Sequence, residues 1–116
     1  SRYTRKAFDR CRRMHLLNGP LKGSREVDVW GAGSTGKPWI RWLQSEGIRV
    51  RRIIEVSVRK IGQHIHNTPV IAPGDMPEAD GTLMLIAVGA IGARELIETH
   101  LDKRRYCPGN NAWFVA

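Results

Sequence analysis

Residues 27–36, Val-Asp-Val-Trp-Gly-Ala-Gly-Ser-Thr-Gly, decide the fold. Val27, Val29 and Trp30 predict a short β-strand, and the next six residues have the spacing Gly-x-Gly-x-x-Gly. The loop thus follows a strand directly and opens a helix, which is the context in which this spacing cradles a phosphate. The first glycine permits a tight turn, the second lets a pyrophosphate approach the backbone, and the third lets helix and strand pack closely.

Beyond this loop the chain alternates between predicted helices and strands. We predict helices over residues 36–46 and 91–103, and further strands over residues 48–56, 69–72, 83–88 and 112–115. The last-but-one strand is fully apolar, which suits a central parallel strand covered on both faces. The pattern predicts an α/β fold with about five mainly parallel strands in the order 3-2-1-4-5 and helices on both faces of the sheet.

Several residues are predicted to line a crevice at the carboxyl ends of the strands. In the predicted order the first and fourth strands are neighbours, so the glycine turns after them flank one crevice. We expect Glu55 to accept hydrogen bonds from a ribose hydroxyl and Arg94 to reach a phosphate. The candidate binding residues are Gly31, Gly33, Ser34, Thr35, Gly36, Glu55, Gly89 and Arg94. The alternatives are glycine turns that have lost their ligand, and a salt-bridged or solvent-facing Arg94.

The sequence indicates neither catalytic nor metal-binding residues. Pro38 stands where a nucleoside-triphosphatase loop needs Ser or Thr to hold magnesium. His64 and His66 lack a third ligand, and no nucleophile or pair of carboxylates is arranged for catalysis. We expect Asp28 and Asp80, which lie in two short acidic patterns, to be solvated carboxylates.

The positive charge is concentrated at the start of the chain. The first 25 residues hold eight of the 19 Lys and Arg residues but one of the 11 acidic residues. The remainder is close to neutral, so nucleic acid is not a predicted partner. We therefore divide the 116 residues into a basic helix with its linker, 1–25, and an α/β domain, 26–116.

Apolar spacing predicts an amphipathic helix over residues 4–18. Thr4 is the predicted cap, and we expect the helix either to pack through Phe8, Cys11 and Met14 or to be poorly ordered. The charged face could be solvated, or contact an acidic partner domain or an anionic membrane surface.

Cysteine usage and hydropathy favour a cytoplasmic location. Cys11 and Cys107 lie far apart without metal-site or redox spacing, and few cysteines are typical of a reducing compartment. The longest apolar stretch, residues 83–93, is far shorter than the roughly 20 residues that cross a bilayer. Because the chain begins with Ser1, we expect a piece of a longer protein.

Four stretches carry a family resemblance: residues 29–37, 53–62, 68–71 and 86–90. Together they resemble the C-terminal Rossmann-like domain of bacterial family 2 glycosyltransferases, in which a basic helix connects that domain to the catalytic domain. They are also similar to the N-terminal nucleotide-sugar-binding domain of left-handed β-helix sugar acyltransferases. The chain has Glu55 where these families usually show Asp, and it lacks the histidine that follows the glycine loop in the acyltransferases.

The resemblance implies a Rossmann-like three-layer sandwich and an accessory function. We expect a domain that binds a nucleotide or nucleotide-sugar, with a dinucleotide as a further candidate, and that carries out no catalysis itself. Its implied partner is an N-terminal glycosyltransferase domain in the parent chain. The alternative is a protein-interaction or regulatory module with a vestigial crevice. An NAD-dependent oxidoreductase is disfavoured because these residues leave no room for a substrate domain.

Overall fold

The structure is a computed structural model that describes the backbone of residues 5–116 and the side chains from Arg10 onward. The predicted cap Thr4 and the side chain of Phe8 lie outside the described residues. The helices and strands are, in chain order, α1 (Arg5–Asn18), β1 (Glu26–Trp30), α2 (Gly36–Ser45), β2 (Arg49–Ile54), β3 (His64–Ile65), β4 (Thr68–Ile71), β5 (Leu83–Ile86), α3 (Ala93–Lys103) and β6 (Ala112–Phe114).

The strands form one mixed sheet in the order β3-β4-β2-β1-β5-β6. Every neighbouring pair is parallel except β3 and β4, which are antiparallel. The mostly parallel α/β sheet is thus as predicted, but the strand order differs because β3 adds an edge strand that was not predicted. A two-residue turn, His66 and Asn67, joins β3 to β4, and both residues have left-handed φ angles of 50° and 64°. Tight hairpins favour that conformation.

Alternating side chains of the central strands build a hydrophobic core on each face of the sheet. Val27 and Val29 of β1 pack on the same side as α1 and α2. Trp30, which points the other way, packs with Met84 of β5 and with Leu101 of α3. Helices therefore cover both faces of the sheet, as predicted for parallel strands with short connections.

The way in which α1 packs differs from the prediction. Cys11 is exposed and Met14 is 52% exposed, so the prediction that these two residues anchor the helix is wrong. Leu16 is buried in the core instead, and Leu17 packs partly against it. The apolar residues of the last helical turn, and not those of the middle, hold the helix on the sheet.

Arginine side chains supply much of the remaining contact of α1. The Arg13 guanidinium lies 5.4 Å and 5.5 Å from the ring centroids of Trp39 and Trp42 of α2, and Arg12 donates a hydrogen bond to the carbonyl oxygen of Val115. An arginine can cover apolar surface with its stem and place its cation over an aromatic ring. The face of the helix that reads as charged in sequence is therefore in part its packing face.

Candidate functional site

A cavity of about 470 Å³ opens at the carboxyl ends of β1, β2 and β5. In an open parallel sheet this edge is where ligands bind, at the place where connections leave in opposite directions. Here the connection from β1 leads to β2 on one side, whereas β5 lies on the other side of β1. The cavity is lined by Trp30, Gly31, Gly33, Ser34, Thr35, Gly36, Glu55, Val56, Ala87, Val88, Gly89, Ala90, Ala93, Leu96 and Ile97.

The structure brings seven of the eight predicted binding residues to this one cavity. The loop between β1 and α2 contributes five of them, Glu55 follows β2, and Gly89 follows β5. The predicted juxtaposition of the two glycine turns is therefore present in the structure. The eighth residue, Arg94, is not among the lining residues.

Two glycines of the first turn are required by the space around them. A Cβ at Gly31, whose φ is +120°, would lie 2.6 Å from the carbonyl oxygen of Ala87. A Cβ at Gly36 would lie 2.0 Å from the carbonyl oxygen of Gly31. Both distances are far below van der Waals contact, so neither position accepts a side chain in this conformation. These glycines let α2 and the turn after β5 approach β1.

Gly33 is different, because its surroundings leave room for a side chain. The nearest atom to a Cβ at Gly33 would be Lys60 Nζ, at 4.0 Å, and the φ of Gly33 is not among the positive ones. The fold itself therefore does not require glycine here. Open space in front of a cavity-lining glycine is what close approach of a ligand to the backbone needs.

The turn presents unpaired backbone donors at the start of α2. Among the described residues, none accepts a hydrogen bond from the N–H groups of Gly33, Ser34, Thr35 or Gly36. Thr35 precedes the helix without a side-chain cap. Unpaired N–H groups and the positive end of the helix dipole together favour an anion at this position.

The Glu55 carboxylate accepts hydrogen bonds from three backbone N–H groups. Its Oε1 accepts a hydrogen bond from the Ala32 N–H at 3.0 Å. Its Oε2 accepts from the N–H groups of Val56 at 2.8 Å and Ser57 at 2.9 Å. The carboxylate therefore links the glycine loop to the segment after β2, a role that the sequence analysis did not assign to it.

Lys60 is a site residue that the sequence analysis missed. Its ammonium donates to the carbonyl oxygen of Ala32 at 3.0 Å, so it lies against the middle of the glycine loop. The two residues are 28 positions apart, and only the return of the chain after β2 brings them together. The single available signal was a lysine shortly after the acidic residue that ends the second strand.

Arg94 lies away from the anion donors. Its guanidinium carbon is 3.9 Å from the centroid of the Phe114 ring, and its Nε lies 3.3 Å from Glu98 Oε1, one helical turn further along α3. The first contact joins α3 to β6, and the second lies along α3 itself. The structure thus places Arg94 in the salt-bridged arrangement that was the alternative to a phosphate contact.

Apolar side chains form part of the cavity lining. Val56, Val88, Leu96 and Ile97 supply them, and we call these four side chains the apolar wall. Val56 is 55% exposed and Leu96 is 51% exposed. Val58 and Ile91, which lie close to lining residues in sequence, are exposed as well. The sequence did not predict the apolar wall.

A cluster of charged side chains lies elsewhere, on the face of the sheet that α3 covers. Asp28 is fully buried and Arg51 binds it with two hydrogen bonds, at 3.0 Å and 2.8 Å. Arg51 also pairs with Asp80 at 2.8 Å. The expectation that Asp28 is solvated is therefore wrong. A register shift in the pairing of β1 with β2 falls at Asp28, and Arg51 forms an ion pair with the buried carboxylate.

These contacts change the ionisation of the cluster. Hydrogen bonds to Asp28 and to Asp80 raise the pKa of Arg51. The Arg51 guanidinium and the Thr82 N–H hold the pKa of Asp80 well below its usual range. Burial raises the pKa of Tyr106, and the charges of Asp28 and Asp80 act in the same direction. Since the charges are paired, the cluster joins the residue 76–82 segment to the sheet.

Metal and membrane features are limited in the described part of the chain. No group of three or more His, Cys, Asp and Glu side chains from Arg10 onward could hold a metal ion. None of the described helices has the length and apolar character that crossing a bilayer needs. The cytoplasmic location stays a prediction.

No protein-family model, curated protein or solved structure matches this chain. The fold and the cavity define a class only: an α/β domain whose mostly parallel sheet carries a ligand-sized opening at its carboxyl edge. The resemblance to glycosyltransferase and acyltransferase domains stays a hypothesis, so the assignment of function rests on the chemistry of the site.

Proposed function

We propose that this chain is a Rossmann-like accessory domain that binds a nucleotide or nucleotide-sugar in the glycine-turn cavity. The proposal includes the parent protein, a glycosyltransferase whose catalytic domain precedes this one. The domain supplies binding and no catalysis. The parallel strands β4-β2-β1-β5-β6 and the helices on both faces support the assignment to the Rossmann-like class.

The main support for this proposal is one cavity that combines an anion site with an apolar wall. The unpaired N–H groups of Gly33, Ser34, Thr35 and Gly36 suit a phosphate. Val56 and Leu96, which line the same cavity, suit a flat and weakly polar group. A nucleotide joins these two chemistries in one molecule, whereas a free phosphate or a simple sugar uses only one of them.

The residues that line the cavity are the reason why we propose no catalysis in this domain. The side chains with polar hydrogen-bonding groups that face the cavity are those of Trp30, Ser34, Thr35 and Glu55. Glu55 is engaged by three backbone N–H groups, and among the side chains from Arg10 onward no histidine, cysteine or lysine lines the opening to activate a hydroxyl. Nucleophilic catalysis needs a base within hydrogen-bond reach of the nucleophile.

A protein-interaction module is the second candidate, and one observation favours it. Two exposed large hydrophobic side chains, Val56 and Leu96, line the cavity, and two more, Val58 and Ile91, lie close to lining residues in sequence. A nucleotide base covers part of this surface, whereas a partner protein would cover all of it. Under this alternative the cleft is vestigial and the glycine turns serve packing alone.

Calorimetric titration of the 116-residue chain with UDP, UDP-sugars, GDP, NAD and CoA tests the proposal. We expect at least one nucleoside diphosphate or nucleotide-sugar to bind with a Kd below about 1 mM. Gly33→Val should abolish that binding, because a side chain occupies the space through which the phosphate approaches the backbone. The fold should survive, since a Cβ at Gly33 touches no backbone atom.

Gly74→Val is the matched control. A Cβ at Gly74 also meets no atom within 4 Å, and Gly74 does not line the cavity. The Gly74→Val variant should bind the nucleotide with the same affinity as the unmodified chain. If no probe binds below about 1 mM, or if the Gly33 and Gly74 variants behave alike, the nucleotide proposal fails and the interaction module replaces it.

A further inference from the structure

Two side chains of opposite charge hold the polar groups of one residue in the glycine loop. Glu55 accepts the N–H of Ala32, and Lys60 donates to the carbonyl oxygen of Ala32, each at 3.0 Å. Both side chains come from the short segment 55–60 that follows β2. Ala32 itself is fully buried, whereas Glu55 and Lys60 are half-buried, so both hydrogen bonds are partly shielded from solvent. We call Glu55 and Lys60 the Ala32 clamp.

The clamp uses most of the hydrogen-bonding capacity of Glu55. A carboxylate offers about four acceptor positions, and the N–H groups of Ala32, Val56 and Ser57 take three of them. Recognition of a ribose diol by a carboxylate needs two free positions, one for each hydroxyl. Glu55 keeps about one, so it is not equipped to bind both hydroxyls of a ribose.

Lys60 acts on the peptide that leads into the anion site. The carbonyl of Ala32 and the N–H of Gly33 belong to the same peptide unit and point in opposite directions when that unit is trans; the described chain contains no cis peptide bond. An ammonium on the carbonyl oxygen polarises the unit and strengthens the opposite N–H as a donor. The Gly33 N–H has no acceptor among the described residues, so it is free to use this gain on a ligand.

We propose that Glu55 and Lys60 are positioning residues of the cavity, which fix the glycine loop and strengthen its donors, and that the ligand is recognised through its phosphate and not through its ribose diol. This inference rests on the proposed nucleotide function. It assigns to Glu55 a role different from the ribose contact expected from sequence, and it gives Lys60 a role that acts through the Ala32 carbonyl oxygen. The ligand class is accordingly any phosphate ester whose remaining part fits the apolar wall, with ribose or deoxyribose accepted equally.

The test compares three probes: UDP, 2′-deoxy-UDP and inorganic pyrophosphate. In the full chain, UDP and 2′-deoxy-UDP should bind within about twofold of each other, because the loss of a well-made hydrogen bond would cost about tenfold. Lys60→Met should weaken pyrophosphate binding by about tenfold through the loss of a charge-assisted hydrogen bond on the loop. Lys60→Arg should restore most of the affinity.

Lys22→Met is the control for charge, since it removes one exposed lysine in the turn after α1, away from the cavity lining. It should leave pyrophosphate binding unchanged. All affinities are measured where every variant is folded, so that a purely structural contribution of Lys60 would appear in the unfolding curve and not in the Kd.

The outcomes separate this inference from the proposed function. Rejection of 2′-deoxy-UDP by more than about tenfold relative to UDP, or unchanged pyrophosphate affinity in Lys60→Met, overturns the inference while nucleotide binding stands. If none of the three probes binds, the proposed function fails and the recognition half of the inference fails with it. The positioning half of the inference is then tested by the hydrogen-exchange rate of the Ala32 amide. That amide should exchange faster in Glu55→Ala than in the unmodified chain. An unchanged exchange rate would overturn the positioning half as well.

Discussion

Asp28 carries a buried carboxylate in the middle of β1, and its partners decide whether the strand tolerates it. Arg51 binds both of its oxygens, and Arg52 approaches Oδ1 at 4.0 Å. Removing one member of a buried ion pair leaves the other without compensation, which costs more than the pair contributes. Asp28 is therefore a structural residue whose charge matters through its partners.

We expect Asp28→Asn to lower the free energy of unfolding by about 3 kcal/mol or more. Asp80→Asn is the matched comparison, because Asp80 binds the same arginine but its side chain is 48% exposed. Its cost should stay near or below about 1 kcal/mol. Urea unfolding of the three proteins measures both values. Equal costs for the two variants would contradict the burial argument.

Single residues of the site differ in how far the sequence predicts them. Gly31 and Gly36 follow from the local spacing of the loop, although the close neighbour of Gly36 is Gly31 itself and that of Gly31 is Ala87, after β5. Glu55 was predicted from sequence as a site residue, but its hydrogen bonds to the loop were not, because they depend on the path of the backbone after β2. Lys60 was not found, since its contact with Ala32 is a tertiary one that no local pattern encodes.

At the scale of elements, α3 contains a histidine that is unfavourable to protonate. His100 lies with its ring centroid 5.9 Å from that of Trp30, a residue of the cavity wall. Burial lowers the pKa of His100 below its usual 6.5, and the nearby charges of Arg104 and Lys103 lower it further. The unfolded chain thus takes up this proton at higher pH than the folded chain does.

The stability of the protein should therefore decrease on mild acidification. Because the unfolded state binds more protons between the two pKa values of His100, the free energy of unfolding falls as the pH is lowered from about 7.5 to about 5.5. His100→Gln should show a shallower decrease over this range. Urea unfolding at the two pH values measures the slopes, and identical slopes would refute the assignment to His100.

The elements themselves were largely predictable where a pattern is long or fully apolar. The bounds of β1, β5 and α2 agree with the prediction to within two residues at each end. The hairpin strand β3 was missed, because two residues, His64 and Ile65, are too few to show an alternation. The predicted packing face of α1 was wrong, because apolar periodicity does not count Arg13, whose guanidinium lies over the rings of two tryptophans.

At the scale of the whole molecule, the cavity forms where separate segments of the chain come together at one edge of the sheet. The turns after β1 and β5 and the segment after β2 are far apart in sequence, yet all of them line one cavity. This arrangement was predictable from the sequence, because parallel strands place their carboxyl ends together. The apolar wall was not predictable, since the exposure of Val56 and Leu96 depends on how the elements finally pack.

The central claim is that a phosphate ester binds to the backbone donors of the glycine loop. The most direct measurement is a titration of the ¹⁵N-labelled chain with UDP, followed through the backbone amide resonances. The claim predicts saturable shifts below about 1 mM that are largest at Gly33, Ser34, Thr35 and Gly36, extend to Gly89, and vanish in Gly33→Val. Absence of shifts at these amides, or the same shifts in Gly33→Val, would contradict it.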